Sequence, residues 1–112
     1  MTASIAQPQN PQNLYLPGPT AAVAITNLGT GSVQVIGENR NRKQLIFHNP
    51  NEANNIAICP AKDTDGNALA AAFDGGSIVI IGLSTFIVQG DCGNAWNAIG
   101  DASSLGLTIW ES

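Results

Sequence analysis

Few side chains of this 112-residue chain have the chemistry of a catalytic group, and their spacing forms no known catalytic pattern. The chain has one histidine, His48, two cysteines, Cys59 and Cys92, and eight dispersed carboxylates. His48 could act as the base for either thiol, but a histidine held by hydrogen bonds near a strand end is the simpler interpretation. The cysteines lack the spacing of a metal-binding pair, and free thiols or a bridge between them both stay open. We expect no enzyme activity, no catalytic residue and no cofactor.

The acidic segment 63–67 has part of the pattern of a calcium-binding loop. Asp63, Asp65, Asn67 and Asp74 occupy the first, third, fifth and twelfth positions of such a loop. The sixth position needs glycine for a sharp turn but is Ala68, and no helix is predicted before the loop. An ordinary Asp-Gly turn explains the same residues, so we predict no metal site.

The low charge of the chain restricts its partners. Only 11% of residues are charged, the net charge is -4 and the pI is near 4.5, whereas phosphate binding needs a basic field. No apolar stretch approaches the roughly 20 residues that cross a bilayer, and we expect no secretion signal in the first residues. We therefore predict neither nucleic acid nor membrane as a partner. A weakly charged surface favours contact with other protein, because few charges must be desolvated.

The pattern along residues 20–112 predicts an all-β fold. Short β-branched runs are separated by clusters of glycine, asparagine and aspartate at spacings of roughly eight to twelve residues. This is typical of a small antiparallel β-sandwich or jelly-roll of about eight short strands. Strands are expected near residues 20–26, 32–36, 43–48, 55–59, 77–81, 84–89, 95–99 and 105–111.

Residues 1–19 differ from the rest in composition and hold four of the six prolines. Proline fixes φ and pushes the preceding residue to extended geometry, so we predict an extended Pro-rich N-terminal arm before a sandwich domain at 20–112. Two interpretations stay open. The segment is either a frayed terminus or an arm that lies along a neighbouring subunit, anchored by Leu14, Tyr15 and Leu16.

Alternation within the strands predicts a surplus apolar face. Leu45 and Phe47 point to one side of their strand and Ile46 to the other. By the same alternation Ile87 and Trp110 fall on the side opposite the core. In so small a domain, the expected cover is a sister subunit or another protein. The alternative is that loops fold over this face, or that isolated surface apolar residues need no cover.

Three of the four cationic residues, Arg40, Arg42 and Lys43, lie together at the start of a strand. Cations in this position protect a strand edge from unwanted pairing. They also form a docking spot for an acidic protein partner. Both interpretations stay open, but three cations in a net-negative chain do not make a nucleic-acid groove.

Three stretches, RKQLIFHNPNEANNIAICPA, GGSIVIIGLSTFIVQGDCGNAWNAIG and the terminal LTIWES, resemble small structural proteins encoded in tailed-bacteriophage and prophage gene clusters. In those proteins a basic strand start leads to an HNPN-like turn, a Cys-Pro strand end and a strand pair introduced by glycine. The resemblance covers about residues 40–112 and excludes the arm. It implies a β-sandwich virion component, either a capsid decoration (cement) protein or a small tail or fibre subunit, and no catalytic residue.

The resemblance also implies partners and a location. Decoration proteins often sit as trimers where capsid subunits meet, which implies a homo-oligomer, with a trimer favoured, bound to the major capsid protein or other virion subunits. The location implied is a virion assembled in the bacterial host cytoplasm. The contact residues of this interpretation are Leu14, Tyr15, Leu16, Arg40, Arg42, Lys43, Ile87 and Trp110.

A receptor-binding role is the alternative. As a tail-tip or fibre module, the same sandwich would hold host surface glycans on an aromatic platform, and Trp96 with Asn94 and Asn97 is the candidate. Burial of that indole between the two sheets is the competing interpretation of Trp96.

Overall fold

The computed structural model describes residues 21–90 and 92–112. Within them the chain forms eight β-strands and no helix, so the predicted all-β fold is confirmed. The strands are β1 Ala21–Leu28, β2 Val33–Ile36, β3 Leu45–His48, β4 Ile56–Pro60, β5 Ile78–Ile80, β6 Thr85–Val88, β7 Trp96–Gly100 and β8 Leu105–Glu111. Each overlaps one predicted strand. The Pro-rich arm, residues 1–19, lies outside the described residues.

The strands form two four-stranded sheets, in the orders β1-β8-β3-β6 and β2-β7-β4-β5, and every neighbouring pair is antiparallel. β1 pairs with β8, β2 with β7, β3 with β6 and β4 with β5. The pairs are therefore nested, as in one long hairpin folded into two layers. This is the order of a jelly-roll, one of the two architectures that the sequence predicts. Because most consecutive strands lie in different sheets, the loops between them gather at the ends of the sandwich.

Alternating side chains of the two sheets form the core. Leu45 and Phe47 of β3 are buried, as their alternation predicts, and the Phe47 ring lies 5.4 Å from that of Trp96 between centroids. The same buried cluster contains Leu28, Ile56, Ile58, Ala98, Leu105, Leu107 and Ile109. Full burial of one large apolar side chain contributes about 1.5–3 kcal/mol. Burial of this cluster therefore stabilises the packing of the two sheets against each other.

The long connection 61–77 covers part of the outer face of the β2-β7-β4-β5 sheet. The Asn97 side chain in β7 donates to the Leu69 carbonyl (2.7 Å), and the Ala71 N–H donates to Ser32 Oγ (2.9 Å) just before β2. Ala57 and Cys59 of β4 alternate with core residues, so they face outward, yet both are buried. On this sheet, the cover is a loop of the same chain.

The β1-β8-β3-β6 sheet carries the predicted apolar residues in one row. Ile46 pairs with Ile87 on one side and with Trp110 on the other, and Trp110 pairs with Ala22. We call Ala22, Trp110, Ile46 and Ile87 the apolar row. The prediction that the three large residues share a face is confirmed. Their exposure differs, because Ile46 is 2% exposed, Ile87 is half-buried and Trp110 is 40% exposed.

Candidate functional site

The fold separates the three neighbouring cationic residues Arg40, Arg42 and Lys43, because the Arg42 side chain is buried while the other two are exposed. Its Nε donates to Glu111 Oε1 (2.9 Å), and its terminal nitrogens donate to the carbonyls of Gly37 (2.8 Å), Cys92 (2.8 Å) and Asn94 (3.1 Å). All these partners belong to the chain itself. Arg42 is therefore not placed to contact an acidic partner, and its predicted contact role is corrected: it is an internal clamp for the loops around β3.

Arg40 and Lys43 remain on the surface. Arg40 forms an exposed ion pair with Glu38 at 2.7 Å. Lys43 is exposed, and its backbone N–H donates to the Ser112 carbonyl at 2.6 Å, which fixes the main chain while leaving the side chain outside. These two predicted contact residues are accessible to a partner.

Trp110 and Ile87 lie on the same sheet face, two strands apart, with Ile46 between them. The predicted anchors Leu14, Tyr15 and Leu16 lie outside the described residues. The described chain begins with β1 at Ala21, and its next residue, Ala22, is the first member of the apolar row.

The candidate catalytic groups do not converge. His48 lies at the end of β3 with Nδ1 3.0 Å from Thr85 Oγ1, as expected for a histidine held by a hydrogen bond. Cys59 and Cys92 are free and buried, and burial raises the pKa of the Cys59 thiol against a smaller opposing effect of its hydrogen bond with Ser77. Among the described residues, no group of His, Cys, Asp and Glu could hold a metal ion. The same residues contain no helix that could cross a membrane.

The 63–67 segment is an aspartate turn. Asp63 Oδ1 accepts from the N–H groups of Asp65 and Asn67, both at 2.9 Å, and these and the Asn67 side chain lower the pKa of Asp63. The carboxylate is thus used to close its own loop, as the turn interpretation predicts.

Trp96 is buried between the sheets at 3% exposure and packs on Phe47. The competing interpretation of this residue is the correct one, and the indole offers no platform to a sugar. Its neighbour Asn94 binds the Lys62 carbonyl instead (3.2 Å), and Asn97 binds the connection 61–77. The predicted glycan triad is a structural group.

Two features were not predicted from the sequence. One is the geometry of the turn 81–84, which lies at the predicted break between the strands near 77–81 and 84–89. Ile81 and Leu83 are 60% and 58% exposed there, and Leu83 has a φ of 65°. Its only sequence signal is a glycine followed by a large residue at a strand end. The other is a polar cleft of about 720 Å³ that collects Arg40, Arg42 and Lys62 from two loops. No family model matches this chain, and no curated protein or solved structure is significantly similar to it.

Proposed function

We propose that this chain is a non-enzymatic structural protein of a bacteriophage particle, a capsid decoration protein that docks on the head surface. The jelly-roll order supports this proposal by analogy, since the fold recurs in viral capsid domains. The observation that carries it is the apolar row with its exposed Trp110, on the one outer sheet face that the connection 61–77 does not cover. An exposed aromatic on a weakly charged surface is typical of a protein contact.

The docking surface combines three parts. The apolar row supplies buried area through Trp110 and Ile87. The exposed Arg40 and Lys43 supply charged contacts to an acidic shell, whereas Arg42 is excluded because it is buried. Leu14, Tyr15 and Leu16 of the arm bind the shell or a sister subunit. We propose a homotrimer bound to the major capsid protein, within a virion assembled in the host cytoplasm.

The test is co-sedimentation with purified capsids of the parent phage, combined with light scattering for the solution mass. We expect a trimer that pellets with capsids, and loss of pelleting when residues 1–19 are removed from a domain that stays folded. Trp110→Gln should weaken capsid binding at least about tenfold, as for an interface anchor. Val33→Gln is the matched control, because Val33 is 50% exposed but lies on the other sheet.

Two results would contradict the proposal. A full-length monomer that stays in the supernatant would remove the decoration role altogether. Equal weakening by the Trp110 and Val33 variants would show that the apolar row is not the contact. Pelleting with isolated tails but not with heads would favour the tail-tip or fibre alternative, for which the polar cleft is the supporting observation.

A further inference from the structure

A polar cleft lies where three loops meet. It has a volume of about 720 Å³ and is lined by Gln34 of β2 and by residues from the β2–β3 loop, from the start of the connection 61–77 and from the β6–β7 loop. This volume falls within the roughly 300–1,000 Å³ of small-molecule sites. The cleft is separate from the apolar row, because none of its lining residues belongs to β1, β3, β6 or β8.

Hydrogen bonds hold the three loops in place. The buried Arg42 guanidinium joins Gly37 in the first loop to Cys92 and Asn94 in the third. The Asn94 side chain then joins the third loop to the second through the Lys62 carbonyl (3.2 Å). The Asp63 turn closes the second loop on itself. A ligand would therefore meet a site that is already formed, with little ordering entropy to lose on binding.

The cleft gathers most of the cationic side chains of the chain, two of which are paired with carboxylates. Three of the four cationic residues of the chain line it, namely Arg40, Arg42 and Lys62. Arg42 is neutralised by Glu111, and Arg40 pairs with Glu38. Within residues 21–90 and 92–112, Lys62 has no carboxylate at salt-bridge distance, so its ammonium group is available to a ligand anion.

The lining also presents acceptors. Glu38 and Asp63 are carboxylates, and Gln34, Thr64 and Asn94 carry amide or hydroxyl groups. The negative charges of Glu38 and Asp63 oppose a doubly charged phosphate more strongly than a singly charged carboxylate, and Glu38 can accept hydrogen bonds from the hydroxyl groups of a sugar.

We propose that this cleft binds a saccharide that carries a carboxylate. Lys62 binds the carboxylate, Arg40 exchanges its exposed pairing with Glu38 for the ligand, and Glu38 accepts hydrogen bonds from ligand hydroxyls. The site goes beyond the docking role proposed above and does not depend on it.

The first experiment is an amide NMR titration of the full chain with trigalacturonate. We expect shifts confined to the cleft, including the amides of Thr64, Gly66 and Gly93, and much smaller shifts with the methyl-esterified trisaccharide. Absence of shifts with both trigalacturonate and a sialic acid trimer would overturn the proposal. Equal shifts with inorganic phosphate, or tighter binding of an acidic peptide, would overturn the saccharide assignment.

Lys62→Gln and Lys43→Gln form a matched pair, because both residues are exposed lysines and only Lys62 lines the cleft. A hydrogen-bonded charge contact is lost in the first variant alone, so we expect about tenfold weaker trigalacturonate binding for Lys62→Gln and no change for Lys43→Gln. Equal weakening would indicate non-specific attraction and contradict the site. Capsid pelleting by Lys62→Gln should be unchanged, which separates this result from the docking test.

Discussion

Arg40 and Arg42 have the same side chain and lie two positions apart, yet one is exposed and the other is enclosed. The Arg42 side chain is 2% exposed and donates to a carboxylate and three carbonyls, whereas that of Arg40 is 86% exposed and pairs only with Glu38 among the described residues. Alternation cannot separate them, because residues i and i+2 of an extended chain point to the same side. The difference comes from the carbonyl groups that surround one of them.

We expect the two arginines to differ in their contribution to stability. Arg42→Met should lower the free energy of unfolding by about 3–5 kcal/mol, because Glu111 and three carbonyls then lose their donor. Arg40→Met should change it by less than about 1 kcal/mol, as for an exposed ion pair. Urea unfolding of both variants is the measurement. Similar losses in the two would show that the Arg42 network does not hold the loops.

At the scale of the element, the turn 81–84 has its glycine in an unexpected place. The Ser84 N–H donates to the Ile81 carbonyl at 3.1 Å, which closes a four-residue turn. Leu83 has the positive φ, at 65°, that normally favours glycine. Gly82 is needed one position earlier, because a Cβ there would lie 2.5 Å from the Glu52 carbonyl oxygen. The glycine of this turn is therefore used for the close approach of the loop 49–52, and the residue with the positive φ is Leu83.

Because of this backbone strain, replacement of Leu83 by glycine should stabilise the protein. A left-handed conformation costs a non-glycine residue about 1–2 kcal/mol, partly offset by the larger chain entropy of unfolded glycine. We expect Leu83→Gly to raise the free energy of unfolding by about 0.5–1 kcal/mol. Leu83→Ala keeps the Cβ and the strain, so it serves as the control and should give no gain. A loss of stability in Leu83→Gly would mean that the leucine side chain packs usefully.

The elements differ in how far the sequence predicts them. The faces of β3 and β8 follow from a period of two, a local property, so the positions of Phe47 and Trp110 could be predicted. The HNPN motif was predicted only as a turn. In the structure, Asn49 is fully buried and its side chain donates to the carbonyls of Asn54 and Ile80. The cleft is formed by three loops that are distant along the chain. Their proximity could not be predicted, because a local sequence pattern carries no information about contacts between distant segments.

At the scale of the whole molecule, the two outer sheet faces have different covers. The connection 61–77 covers part of one, and the other carries the apolar row. The covered face contains Cys59, which burial keeps as a neutral thiol by raising its pKa, and the hydrogen bond with Ser77 opposes this only in part. Because this thiol lies under the connection 61–77, its titration shows whether that connection keeps water away from Cys59.

The last prediction follows from the sign of that shift. The folded thiol has the higher pKa, so the stability it contributes is complete below the unfolded pKa and is lost as the pH rises towards the folded value. The unfolded pKa is about 8.5, so the free energy of unfolding should fall between about pH 7.5 and about pH 9.5. Cys59→Ala has no thiol to titrate and should fall less over the same range. Urea unfolding at both pH values measures the difference, and parallel losses would mean that the connection leaves Cys59 open to water.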